Sequence, residues 1–182
     1  MTIEKTHIEG CVVITPRIIS DDRGYFFESF NKISFERETG LSIDFVQDNQ
    51  SKSNKGVLRG LHFQTGDFQQ TKLVRVVKGS VLDVCVDLRP SSPTYKEHVA
   101  IVLDDKENKQ LLIPRGFAHG FLVLEDNTIF NYKCDQYYHK PSEAGIIYND
   151  PTFNINWNFP IDQLILSDKD RKLPTFEQFV KA

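Results

Sequence analysis

Cysteine is scarce in this chain and odd in number: Cys11, Cys85 and Cys134 are the only three in 182 residues. So sparse a set does not build a disulfide framework, and it predicts free thiols in a reducing compartment, the cytoplasm. Cys85 and Cys134 sit inside apolar runs and are expected in the core. None of the three has an activating base nearby in sequence, so nothing points to a cysteine nucleophile. A basic excess is also missing. With 22 basic and 25 acidic residues the net charge is -3, and the overall balance recruits no nucleic acid. No apolar run approaches the length of a membrane span. The first ten residues are acidic and polar where a secretory leader would be basic and then apolar. There is no G-x-G-x-x-G behind a first strand, no phosphate loop ending in Gly-Lys-Ser/Thr, no C-x-x-C and no βαβ rhythm. The histidines, His7, His62, His98, His119 and His139, form neither H-x-H nor H-E-x-x-H. The usual clustering of metal ligands is absent, and no metal is expected.

What the chain does have is a succession of short apolar runs separated by Gly, Pro, Asn and Asp. Val81 to Leu88 reads Val-Leu-Asp-Val-Cys-Val-Asp-Leu. Because strand side chains alternate, Leu82, Val84, Val86 and Leu88 share one face and Asp83, Cys85 and Asp87 the other. Further strands are predicted over 11–15, 25–30, 45–49, 57–63, 73–77, 97–103, 110–113, 117–124, 128–134 and 145–148. This many short strands predict an antiparallel sandwich or barrel. A helix is predicted over Ser34 to Thr39, capped by Ser34 and ended by Gly40. Turns or short helix are expected from Ile161 onward. With no linker, repeat or low-complexity tract, residues 1–182 are expected to form one domain.

Three stretches carry candidate chemistry. Val57-Leu-Arg-Gly-Leu-His-Phe63 holds Arg59 and His62. Strict alternation puts these two on opposite faces, and Gly60 offers a bulge or bend that would bring them together. A surface arginine with a core histidine, and a cationic anchor beside a base, are both open readings. Ile113-Pro-Arg-Gly-Phe-Ala-His-Gly-Phe121 looks like a turn, but a turn does not need His119. In Thr128-Ile-Phe-Asn-Tyr-Lys-Cys134, Phe130, Tyr132 and Cys134 share a face. Tyr132 is either a satisfied core tyrosine or an oriented proton donor.

At Pro114, Gly116 and His119 the pattern resembles the second motif of cupins, which are double-stranded β-helix or jelly-roll proteins. The His-x-His of their first motif is missing, since His62 is followed by Phe63 and Gln64. Over nearly the whole chain, from Thr15-Pro16 to Asp170, the sequence resembles the dTDP-4-dehydrorhamnose 3,5-epimerase family. The markers are Asp22-Arg-Gly-Tyr-Phe-Phe-Glu28, Gln47-Asp-Asn49, Gly56 to Phe63, Lys72-Leu-Val-Arg75 and Asp87-Leu-Arg89 with Ser92-Pro-Thr94. They continue through Pro114 to Phe121, Tyr132-Lys-Cys134 with Tyr138, Asn149-Asp-Pro151 and Leu166 to Asp170. Residues 65–70 have less of the family's usual proline character.

The resemblance implies an all-β, cupin-like jelly-roll barrel with short peripheral helices. It implies epimerisation at C3 and C5 of a dTDP-linked 4-keto-6-deoxyhexose, with no cofactor. His62 is then the general base, Asp170 its partner, Lys72 the group beside the sugar carbonyl and Tyr132 the proton donor on the opposite face. Arg59 and His119 resemble the diphosphate contacts. Arg23, Phe26, Glu28, Gln47, Asn49 and Tyr138 resemble the nucleotide- and sugar-binding set, part of it supplied across a homodimer. These residue types suit the reaction. Neutral imidazole accepts a proton near neutrality. A fixed cation stabilises the enolate oxygen. Inversion requires a donor on the far face, and a phenol is protonated at rest. No nicotinamide is needed, because substrate and product share one oxidation state. Neither a nucleic acid nor a membrane partner is expected. A single-carbon epimerase, a ketoisomerase on a related sugar nucleotide, a silent nucleotide-sugar-binding cupin and a metal-dependent cupin oxygenase are the alternatives.

Overall fold

The computed structural model describes residues 1–181. Its strands are β1 (Thr2–Lys5), β2 (Val12–Thr15), β3 (Ile19–Asp21), β4 (Gly24–Phe26), β5 (Gln47–Ser53), β6 (Leu58–Gln64) and β7 (Lys72–Lys78), then β8 (Ser80–Asp87), β9 (His98–Asp104), β10 (Gln110–Ile113), β11 (Phe117–Val123), β12 (Thr128–Cys134) and β13 (Glu143–Gly145). Helix α1 is Lys32–Thr39, α2 is Asp168–Arg171 and α3 is Phe176–Lys181. A six-stranded sheet runs β1-β2-β10-β7-β12-β5, and a five-stranded sheet runs β13-β6-β11-β8-β9. Every ladder in both is antiparallel. This is the expected jelly roll, two sheets face to face with non-sequential neighbours.

The apolar runs are dense because most central strands are covered on both faces. Between the sheets, Val74, Val76 and Phe130 meet Cys85, Phe117 and Phe121. Val84, Val86, Leu58 and Leu61 point outward from the five-stranded sheet. There they are covered by Tyr148, Phe153, Trp157, Leu164 and Phe176 of the C-terminal third. Ile14, Leu73 and Leu112, on the outer face of the six-stranded sheet, are covered by Phe35 of α1 with Phe30 and Phe45. The alternation expected for Val81 to Leu88 therefore holds, with Cys85 inward and Leu82, Val84, Val86 and Leu88 outward. All three cysteines are free and buried.

Several boundaries differ from the sequence reading. Helix α1 begins earlier, because Asn31 is the cap and its side chain accepts from Ser34 N at 3.1 Å. Gly40 ends it as expected, in the left-handed region at φ 72°. The strand expected over 25–30 stops at Phe26 and pairs with β3 in a separate hairpin. The strand expected over 145–148 lies earlier, at Glu143–Gly145. β1 and β3 were not expected, since Thr-Ile-Glu-Lys and Ile-Ser-Asp carry too few apolar residues to show a period.

Candidate active site

A cavity of about 470 Å³ opens between the two sheets, next to the packed apolar core, whose Phe121 lines it. His62, Arg59, His119, Lys72, Tyr132, Gln47, Asn49 and Tyr138 all line it. The fold thus gathers eight of the twelve candidates at one site. Asp170 stands directly behind the wall, as described below.

Arg59 and His62 both reach the cavity through an irregularity at Gly60. His119 pairs with His62 but Phe121 pairs with Arg59, so the register shifts between them. Gly60 has φ 134°, and a Cβ there would lie 2.5 Å from Gly120 Cα. Glycine is needed at this close approach of two backbones. The extra residue turns both Leu58 and Leu61 outward and both Arg59 and His62 inward. Arg59 Nη2 is held by Ser53 Oγ at 3.2 Å.

His62 Nε2 lies 2.5 Å from Asp170 Oδ1. Asp170 is nearly sealed, and Ser167 Oγ donates to its other oxygen at 2.8 Å. Burial works to raise this carboxyl, but the bonds from His62 and Ser167 outweigh it and hold the group below its usual range. The carboxylate therefore stays ionised, and a proton on His62 belongs on Nε2. Nδ1 is left as the basic nitrogen. Sequence reasoning without the family pattern does not pair these residues, which lie 108 positions apart. Asp170 is delivered by the first turn of α2, capped by Ser167.

The facing wall is the six-stranded sheet. Lys72 on β7 stands opposite Cys134 on β12, and Tyr132 opposite Val74. Burial lowers the Lys72 ammonium, while Cys134 and Asp83 partly restore it. Among the described residues Lys72 forms no ion pair, so its charge is available to a ligand. Burial raises the Tyr132 phenol and Cys134 adds to that effect, against a smaller pull from Arg59. The phenol stays protonated at neutral pH.

The strand expected over 45–49 begins at Gln47 and runs on to Ser53, and residues 50–53 of β5 were missed. Gln47-Asp-Asn-Gln-Ser-Lys-Ser53 shows no apolar alternation, yet it is a full strand paired along β12. Gln47, Asn49 and Ser51 alternate into the cavity, so its inward face is polar because it lines a polar site. Glu143 was also missed. It lies at the cavity mouth, accepts from Tyr138 Oη at 3.2 Å and pairs with Lys169 Nζ at 2.6 Å. Gln64 and Gln70 line the same mouth.

Arg23, Phe26 and Glu28 are not at this cavity. Arg23 is exposed in the β3–β4 hairpin and paired with Asp21 at 2.5 Å. Phe26 and Glu28 border a separate hollow of about 370 Å³ beside Arg17 and Arg37. One chain alone does not bring these three to the other candidates. Among the described residues no group of three or more His, Cys, Asp or Glu side chains is arranged to hold a metal. His62 and His119 each face their own carboxylate instead. No helix among the described residues is long and apolar enough to cross a membrane.

The family model described as dTDP-4-dehydrorhamnose 3,5-epimerase matches residues 5–178. The chain is 48% identical to the dTDP-4-dehydrorhamnose 3,5-epimerase of Escherichia coli (strain K12), over 100% of this chain and 97% of that one. A crystal structure of dTDP-6-deoxy-D-glucose-3,5-epimerase from Legionella pneumophila, in complex with dTDP-4-keto-L-rhamnose, superposes with a TM-score of 0.93 at 45% identity. It covers 97% of this chain and 93% of that chain. A 3'-monoepimerase from Streptomyces bikiniensis in complex with dTDP-quinovose superposes with a TM-score of 0.88 at 32% identity, covering 97% and 88%. The chain belongs to the dTDP-4-dehydrorhamnose 3,5-epimerase family.

Proposed function

We propose that in this epimerase His62 removes a proton beside the sugar ketone, Asp170 orients and balances His62, Lys72 stabilises the enolate oxygen and Tyr132 returns a proton from the other face. The substrate is dTDP-4-dehydro-6-deoxy-D-glucose and the product dTDP-4-dehydro-L-rhamnose. The observation that carries this reading is the division of the cavity. The histidine with its buried carboxylate is on one sheet, and the protonated phenol and the unpaired lysine are on the sheet facing it.

The C–H bond at C3 or C5 breaks, its proton passes to His62 Nδ1, and the electron pair moves to the C4 oxygen. Asp170 stabilises the resulting imidazolium across the Nε2 bond. Lys72, already fixed in a wall of low dielectric, meets the developing oxyanion with little reorganisation. Tyr132 Oη gives its proton to the carbon from the opposite side, which inverts the centre. The phenolate and imidazolium then return to their resting states by exchange with solvent, and a second cycle treats the other carbon.

Arg59 and His119 are assigned to the diphosphate, Gln47, Asn49 and Tyr138 to the nucleoside end. Arg23, Phe26 and Glu28 serve the cavity of a second copy in a homodimer. Support comes from the hairpin that carries Arg23, which leaves Tyr25 and Phe26 exposed and stands apart from its own chain's cavity. The three unbridged cysteines agree with a cytoplasmic location.

The test is proton NMR in deuterated water with the nucleotide-linked 4-keto sugar. Wild-type protein should exchange the hydrogens at both C3 and C5, and His62→Ala should lose both exchanges while still binding dTDP. Folded wild-type protein that exchanges neither hydrogen overturns the reading. Exchange confined to C3 would align the chain with the Streptomyces bikiniensis monoepimerase.

A further inference from the structure

His62 is not the only histidine here that faces a buried carboxylate. Asp83, in the middle of β8, is fully buried, and His119 Nε2 lies 2.9 Å from its Oδ2 and 3.1 Å from its Oδ1. Asp83 has no other hydrogen-bond partner among the described residues. A carboxyl group sealed from water, with a single partner, is costly unless it shares a hydrogen bond with that partner. With the carboxyl group as acceptor, the shared proton sits on Nε2 of His119. Nδ1 has no protein partner, yet it is not among the sealed, unsatisfied atoms of the interior, so it meets the cavity that the ring lines.

The surroundings of this ring are mixed in sign. Asp83 faces it from β8, where Cys85 is its register partner. His62 faces it from β6 and Lys72 from β7, while on β12 Phe130 stacks at 6.2 Å beside Tyr132. Burial lowers the imidazole most, Lys72 and His62 add to that, and Asp83 opposes them without prevailing. In its neutral form the ring turns a lone pair toward the cavity, which repels a phosphate oxygen. As an imidazolium it donates there through a charge-assisted bond.

We propose that Asp83 is a positioning residue that holds His119 as the neutral, Nε2-protonated tautomer in the free protein, and that His119 takes up a proton at Nδ1 when the anionic diphosphate of a nucleotide sugar enters. The proton comes from solvent. This inference rests on the assignment of His119 to the diphosphate. Substrate binding then draws a proton into the site, and anchoring strengthens when the anion is present.

The probe is dTDP-glucose, whose diphosphate is doubly esterified and has no proton to exchange near neutrality. In protein labelled with 15N in its histidine rings, His119 should show a protonated Nε2 and a bare Nδ1 when free, and both nitrogens protonated in the complex. Calorimetry in buffers of differing ionisation enthalpy should show net proton uptake at pH 7.5, retained by His62→Ala. Asp83→Asn should lose the uptake and bind dTDP-glucose about tenfold or more weakly, the size of one charge-assisted hydrogen bond. The idea fails if free His119 carries its proton on Nδ1, or if Nδ1 stays bare in the wild-type complex. Either result needs only folded wild-type protein. Normal C3 and C5 exchange with a bare Nδ1 would remove this inference alone. Proton uptake without any exchange would remove the catalytic assignment instead.

Discussion

Replacing Asp170 by Asn isolates the part of catalysis that does not touch substrate. The substitution keeps the shape, and Ser167 still caps the short helix through its bond from the residue 170 backbone N–H. It removes the negative charge 2.5 Å from His62 Nε2. During proton abstraction that ring becomes a cation, and only then does the bond gain its full strength. A hydrogen bond to a charged group contributes about 1.5–3 kcal/mol. Since about 1.4 kcal/mol of barrier is tenfold in rate, kcat should fall by about 10- to 150-fold. KM should change little, because the lost interaction develops in the transition state. Hydrogen exchange at C3 and C5, followed by NMR at saturating substrate, measures this directly. Exchange at both carbons within twofold of wild type would refute the dyad. A rise in KM with unchanged kcat would recast Asp170 as a binding residue.

Four other outcomes follow from the geometry. Tyr132→Phe should keep wash-out of substrate hydrogens measurable while inversion falls by at least about 10², the usual size of acid–base assistance. Inversion at wild-type efficiency in the product spectrum would remove Tyr132 as donor. Gly60→Ala puts a Cβ 2.5 Å from Gly120 Cα at φ 134°, so thermal unfolding should show a loss of about 1–3 kcal/mol, and an unchanged Tm would contradict the bulge. Asp87 is buried; burial works to raise it, but Arg89, Ser92 and Thr94 overcome that and hold it at about 2. Its folded value lies below its unfolded value of 3.8, so its stabilisation of about 2 kcal/mol is present above pH 4 and is lost as pH falls toward 2; Asp87→Asn should flatten that acid limb of a denaturation series. Finally, mixing Arg23→Ala chains with His62→Ala chains, each weakly active alone, should restore activity if the hairpin serves a partner's cavity, whereas no recovery in confirmed mixed dimers would return Arg23 to a surface role.

How far the sequence carries depends on whether a residue's environment is local. Val81 to Leu88 and Thr128 to Cys134 were legible because both faces of their strands follow an alternating pattern. β5 was half legible, because its inward face serves a polar cavity and has no apolar period to read. The helix cap moved from Ser34 to Asn31, a boundary decided by which oxygen the first free N–H meets.

By itself, the sequence determined the class of structure, the lack of a dinucleotide or phosphate loop, and, through an ordered set of motifs, the family. Those follow from period, composition and the order of residues along the chain. Only the tertiary structure decided which side chains meet. It turned Arg59 and His62 to the same side through one extra residue at Gly60, and it brought Asp170 across 108 positions to His62. It also set Asp83 behind His119, and it left Arg23, Phe26 and Glu28 outside the cavity of their own chain. Register shifts and long-range contacts are global packing solutions, fixed by how the two sheets close on each other, and no local run of residues encodes them.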